Sequence, residues 1–397
     1  MLALNKDNEN LTNALIHLGR DSKSVGRSVN LPMYQASTML FNTLEEFEEA
    51  RDARYEKGTL YYGRYGNPAT FELEAMMAEL EQGAGCVAVS SGLTACVVSL
   101  MAFLEAGSHV LVADTVYGPT RAFCDNVLKK YGVSVTYFDP MMGKQLASLV
   151  QENTLAIFFE APGSGTFEVP DISAIVQVAQ EIGATSILDG TWSTPLFCQP
   201  LTLGVDVVVH SGSKYISGHS DAMLGLIVAK TEEDYRTLRK MSLSIGDRAG
   251  ANDVFLALRG LRTLAVRLRQ HEENTLKCLK WLEQQGEVDR ILHPAHSDCP
   301  GHEYWRRDFN GSAGLFGVIF KSTIEEAKLR NMINHLTMFG IGLSWGGFES
   351  LILPVNPTPF RTATSWQEKG HLVRFNIGLE DGESLIADLE NGFTFLK

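Results

Sequence analysis

Short apolar runs separated by helix-periodic stretches fill the middle of the chain, and this alternation is its main structural signal. Between about residues 67 and 260, mostly apolar runs at Cys86–Val89, His109–Ala113, Val133–Phe138, Leu155–Phe159, Thr185–Leu188 and Val205–Val209 read as buried strands. Helical spacing lies between most of them, as at Leu93–Leu104, from Tyr117 to Lys130, and at Ile172–Ile182. Strands alternating with helices predict an α/β fold: a mostly parallel sheet with helices on both faces. Ligands of such sheets sit beyond the carboxyl ends of the strands. Ser91-Gly92, Tyr117, Glu160, Asp189 and Ser211–Lys214 all fall at or just past such ends, so they converge on one rim.

The flanks read differently. Residues 1–66 hold a short helical pattern near Leu11–Leu18, a Pro-interrupted extended piece at Val29–Tyr34 and an acidic helix at Leu44–Tyr55. That is too little apolar material for a core, so this arm is expected to lie against something else, another subunit included. From residue 261 a long amphipathic helix (Leu261–Gln284) leads into short strands and helices, the strand Leu372–Gly378 and a terminal helix from Gly382. A smaller α+β domain over 261–397 is expected beside the larger one at 67–260.

Composition narrows the partners. Of 397 residues, 45% are apolar and 20% charged, as in ordinary globular enzymes. A net charge of −13 argues against nucleic acid and anionic membrane, whose phosphates demand Lys and Arg. Met1–Asn10 lacks a signal peptide's basic and apolar regions, and the apolar stretch Ala84–Leu104 is broken by Ser90-Ser91-Gly92 into a strand and a helix. The six cysteines show no CxxC and no zinc spacing; buried free thiols in a reducing cytoplasm are expected.

Candidate chemistry centres on Ser211-Gly-Ser213-Lys214, which follows the valine run. A lysine there, between small hydroxyl residues, suits a Schiff-base nucleophile with a phosphate nearby, although a surface lysine after a polar turn reads equally well in isolation. Asp189, ending another strand, shifts the balance, because a Lys amine and a carboxylate for a pyridinium nitrogen are what pyridoxal phosphate chemistry asks of a protein. Tyr62 and Arg64 lie in an aromatic, glycine-rich loop that reads as a packed turn or as a phosphate-binding pair. Arg374, inside a mostly apolar strand, needs a partner, either a structural carboxylate or a substrate's. Gly83-Ala-Gly85 precedes its strand and so fails as a dinucleotide fingerprint, Gly163-Ser-Gly165 lacks a following GK[ST], and His210 and His219 have no metal-ligand partners at useful spacing. No metal site is expected.

The motif S-x-S-K-Y-x-x-G-H-S-D over Ser211–Asp221, preceded by Leu188-Asp-Gly-Thr-Trp192, resembles the cysteine/methionine-metabolism family of pyridoxal-phosphate enzymes, and the likeness runs from Tyr62-Gly-Arg64 to Ile377-Gly-Leu-Glu-Asp381. Trp345 in Ser-Trp-Gly-Gly is similar to the branch that cleaves cystathionine by β-elimination, where γ-acting relatives usually carry Leu. The resemblance implies the aspartate-aminotransferase (type I) fold and cytoplasmic homotetramers with shared active sites. It implies Lys214 as the Schiff-base lysine, Asp189 as pyridinium partner and Tyr117 as the stacked ring. Gly92, Leu93, Ser211 and Ser213 become phosphate donors, joined by Tyr62 and Arg64 from the neighbouring subunit. Tyr117 and Tyr62 are expected to assist Lys214 in catalysis, and Ser344, Trp345 and Arg374 to bind the substrate. Ser164 stands where many members have Asn, and Tyr65 where some β-lyases have a second Arg, which bears on the distal end of the thioether. A cysteine desulfhydrase, another cysteine-conjugate lyase and a γ-synthase or γ-lyase are the alternatives.

Overall fold

The computed structural model describes residues 6–19 and 28–397. Seven strands, β1 (Gly85–Val89), β2 (His109–Ala113), β3 (Ser134–Phe138), β4 (Thr154–Glu160), β5 (Thr185–Asp189), β6 (Val207–Ser211) and β7 (Gly225–Ala229), form one sheet in the order β1-β7-β6-β5-β4-β2-β3. Every strand but β7 runs the same way; β7 is antiparallel to both neighbours. A mostly parallel sheet is what the alternation predicts. The strand β7 was not legible, because its short Gly-Leu-Ile-Val-Ala run follows the Lys214 turn directly. It nevertheless shapes the site. Pairing of His210 and Ser211 with Leu226 and Gly225 draws β6 two residues past the valine run, up to the edge of the Lys214 turn.

The second sheet has the order β10-β11-β12-β9-β8, from β8 (Val288–Leu292), β9 (Leu315–Phe320), β10 (Gly340–Ile341), β11 (Leu351–Pro354) and β12 (His371–Asn376). Its side chains alternate as strand geometry requires. Phe316, Val318, Phe320, Val373 and Phe375 join an apolar cluster with the helices Leu264–Leu282, Glu326–His335 and Gly382–Phe393. Leu315, Ile319 and Leu372 join the cluster of the large sheet instead. Arg374 and Asn376 share the parity of Leu372, so the pleat aims them toward the large sheet.

One expected helix is interrupted. Residues 118–131 pass through an α-helix, a π-turn and a 3-10 turn that ends at Gly132 (φ 84°). The long helix expected over Leu261–Gln284 is present as Leu264–Leu282, and a separate helix, Ala251–Leu261, precedes it. The join has a purpose: a Cβ on Gly260 would lie 2.4 Å from the carbonyls of Ile216 and Ser217, so only glycine lets the helix approach the Lys214 turn. From the next helix, Arg267 donates to the carbonyls of Tyr215 (2.7 Å) and Gly260 (2.8 Å). The segment after Lys214 is thus bolted from behind.

Within the arm, Leu40 is 94% exposed, and the helix Leu44–Asp52 buries no residue. Six cysteines are buried and unpaired. Among the described residues no helix is long and apolar enough to cross a membrane.

Candidate active site

The strand ends assemble a cavity of about 470 Å³. At one side, Ser91 caps the helix Gly92–Phe103, its Oγ accepting from the Thr94 amide. The orphan amides at such a terminus attract an anion, and Gly92 and Leu93 face the cavity. A Cβ on Gly92 would lie 2.6 Å from Ser211 Oγ, so glycine is what lets the helix end meet the end of β6. Ser211 and Ser213 line the same region; Ser213 Oγ also accepts from the Leu224 amide, which ties the turn to β7.

Asp189 closes β5 and is buried. One of its oxygens accepts from the amide (3.0 Å) and hydroxyl (2.5 Å) of Thr191. Its other oxygen has, among the described residues, the Cys96 thiol at 3.8 Å, and both residues line the cavity. Burial pushes its carboxyl up, against the Thr191 hydrogen bonds. Across the ladder, Glu160 is the register partner of Asp189. Burial, and then the neighbouring Asp189, push Glu160 well above the carboxylate range, while its Oε2 accepts from the Tyr117 amide at 2.7 Å.

Lys214 Nζ donates to Ser344 Oγ at 2.7 Å and lies 5.4 Å from the Trp345 ring centre. Burial, then the Arg374 cation, lower its amine to about 8, with Asp189 opposing. Arg374 Nη2 donates to the carbonyls of Gly342, Leu343 and Ser344 rather than to a carboxylate. Among the described residues no structural carboxylate pairs with it; β12 uses the guanidinium to brace the 342–344 loop. Asn376 continues this work two residues on, accepting from the Gly346 amide and donating to the Glu349 carbonyl.

One cavity thus gathers Lys214, Asp189, Tyr117, Gly92, Leu93, Ser211, Ser213, Ser344, Trp345 and Arg374. Tyr62 and Arg64 do not line it. Tyr62 is 44% exposed, and Arg64 Nη1 donates to the Leu243 carbonyl at 2.5 Å. His210 is a core residue paired with Glu81, and His219 lies against the Ser217 carbonyl. Sequence reading left Glu160, Thr191 and Asn376 without roles. Their signals were slight: a strand-end carboxylate, a hydroxyl two residues after an aspartate, and an amide two residues beyond Arg374 on one face.

The family model for Cys/Met metabolism PLP-dependent enzymes matches residues 12–394. The chain belongs to this family. Cystathionine β-lyases are among its relatives; that of Haemophilus influenzae is 40% identical over 96% of this chain and 98% of its own length. An L-alanine/L-glutamate racemase of Wolbachia pipientis is 36% identical over 94% of both. Among solved structures, metB from Corynebacterium glutamicum superposes with a TM-score of 0.89 at 32% identity, covering 98% of each chain. Pyridoxal phosphate is therefore the cofactor, and the groups present fit it. Asp189 keeps one oxygen toward the cavity, the Lys214 amine is lowered toward neutrality, and the Gly92–Ser211 approach leaves amides and hydroxyls for a phosphate.

Proposed function

We propose that this enzyme is a carbon–sulfur lyase that cleaves L-cystathionine by β-elimination to homocysteine, pyruvate and ammonia. The observation that carries the reading is the convergence of Lys214, Asp189, Trp345 and Arg374 on one cavity, in a chain similar from end to end to cystathionine β-lyases.

Lys214 would carry the cofactor, Asp189 would pair with its ring nitrogen, Tyr117 would cover its ring, and Gly92, Leu93, Ser211 and Ser213 would hold its phosphate. When bound, the cofactor supplies a sink for negative charge at the substrate's Cα. Arg374 fixes the α-carboxylate, with Ser344 beside it. The Lys214 amine, about 8, is poised near neutral pH to accept the Cα proton and return it to the departing sulfur. Its bond to Ser344 Oγ keeps that amine on the substrate side of the cavity. Trp345 closes the same side with an apolar surface and excludes water.

Tyr62 and Arg64, with Tyr62 as a further catalytic group, would serve a neighbouring subunit's cavity in a cytoplasmic homotetramer. Their position outside the cavity of their own chain and the coreless arm support that reading. The arm 1–66, a cofactor-binding domain 67–260 and a C-terminal domain 261–397 would be the working units.

The racemase relative favours a second reading, since racemisation also begins with removal of the Cα proton. Incubation with L-cystathionine and identification of the products separates the possibilities. Pyruvate with homocysteine is expected. 2-Oxobutyrate with cysteine would move the enzyme to γ-cleavage. Inert cystathionine with racemised L-alanine would replace the reading.

A further inference from the structure

A second cavity, of about 360 Å³, opens beside the first, and Tyr117, Trp345 and Arg374 face both. A substrate with its α-carboxylate on Arg374 and Cα beside Lys214 would find this volume open, past Tyr117 and Trp345, to the group on its sulfur. Its outer wall is the segment joining β11 to β12, through Val355, Asn356, Pro357 and Phe360. Beyond Val355, whose amide donates to the Leu372 carbonyl of β12 (2.9 Å), the regular structure of that wall is one 3-10 turn, Thr358–Phe360.

Asp114 holds it. This buried carboxylate follows β2 directly and accepts from three consecutive amides, Thr362 (3.0 Å), Ala363 (3.2 Å) and Thr364 (3.0 Å), and from the hydroxyls of Thr362 and Thr364. Arg121 completes the clamp: Nη1 donates to Asp114 (2.9 Å), Nη2 to Thr362 Oγ1 (2.5 Å), and its guanidinium stacks 3.6 Å from the Tyr137 ring centre. Arg361 is anchored likewise, to Glu168 and Thr166. Both arginines thus make hydrogen bonds within the protein that hold the wall in place.

We propose that Asp114 is a positioning residue for leaving-group selection: by clamping Thr362–Thr364 to the end of β2, it fixes the wall of the cavity that receives the group on the substrate's sulfur. The inference rests on the β-lyase reading. Its test compares Asp114→Asn with the wild-type holoenzyme on L-cystathionine, S-benzyl-L-cysteine and β-chloro-L-alanine, whose leaving group is a single atom. The clamp requires KM for the two bulky thioethers to rise roughly tenfold, as a misplaced wall would cause, with kcat/KM for β-chloro-L-alanine unchanged within about twofold. Phe360→Ala leaves the clamp intact and trims the wall; it is expected to change the ratio of benzyl to cystathionine turnover in a protein of unchanged Tm. Equal losses on all three substrates, or no change on any, would overturn the proposal. Wild-type enzyme that cleaves S-benzyl-L-cysteine but not cystathionine would sink the cystathionine reading alone, with the clamp still read from the benzyl-to-chloro ratio.

Discussion

The two walls of the active-site cavity are built on different principles. The wall holding Lys214, Asp189, Ser211 and Gly92 comes from strand ends and a helix terminus of one sheet, each fixed by a ladder, a cap or a close backbone approach. The facing wall, Ser344-Trp345-Gly346, is a loop tied down by two side chains of β12, Arg374 and Asn376. The groups proposed for chemistry common to every substrate sit where ladders, a cap and a close approach fix the backbone. The groups proposed to read the substrate sit on a loop, and loops vary without disturbing the sheet that carries them.

The sharpest way to break the comparison is to strip each wall of its central group. Lys214→Ala removes both the cofactor's attachment point and the base, and turnover is expected to fall at least ~10³-fold, measured as pyruvate release. Near-normal turnover would remove the sheet wall from the chemistry. Arg374→Ala on the loop wall should mainly weaken binding, by roughly 2–4 kcal/mol, because a charged pair with the substrate carboxylate is broken. An unchanged KM would contradict that role. Because Arg374 also braces residues 342–344, a companion Asn376→Ala variant separates the two effects: it loosens the loop yet leaves the guanidinium in place.

Much of the sheet wall was legible in the sequence and much of the loop wall was not. Strand ends announce themselves, since a buried apolar run must stop somewhere and Asp189 and Ser211 stand where two of them stop. The loop wall depends on which residues a distant strand brings beneath it. Arg374 was noticeable as a charge in an apolar strand, but its carbonyl partners, 30 to 32 residues away, cannot be read from spacing. Strand β7 was missed for a related reason. Its apolar run is short and follows the Lys214 turn, so its place between β1 and β6 shows only in the pairing, which carries β6 up to Lys214.

Two smaller effects sharpen the comparison. Gly92→Ala places a methyl 2.6 Å from Ser211 Oγ, so the helix end must back away from β6. Cofactor affinity is expected to fall about tenfold, as fits the loss of one or two hydrogen bonds to an anion, measured by fluorescence titration of apo-protein. Unchanged affinity would mean that the phosphate is held elsewhere. The pH dependence concerns Lys214, whose amine is lowered to about 8 by burial and by Arg374. The neutral amine is the reactive form, so the rate of cofactor uptake by apo-protein should rise with pH and level off above about 8. In Arg374→Gln the loss of the cation raises the Lys214 pKa, and the whole curve should move to higher pH. A curve that does not move would uncouple the two walls.

Everything in the sheet wall converges on the Lys214 amine, and that convergence can be examined directly. Holoenzyme reduced with borohydride, digested and mapped by mass spectrometry should carry the reduced cofactor on the peptide containing Lys214 and on no other lysine. Label on a different lysine, or none at all in a yellow protein, would contradict the account.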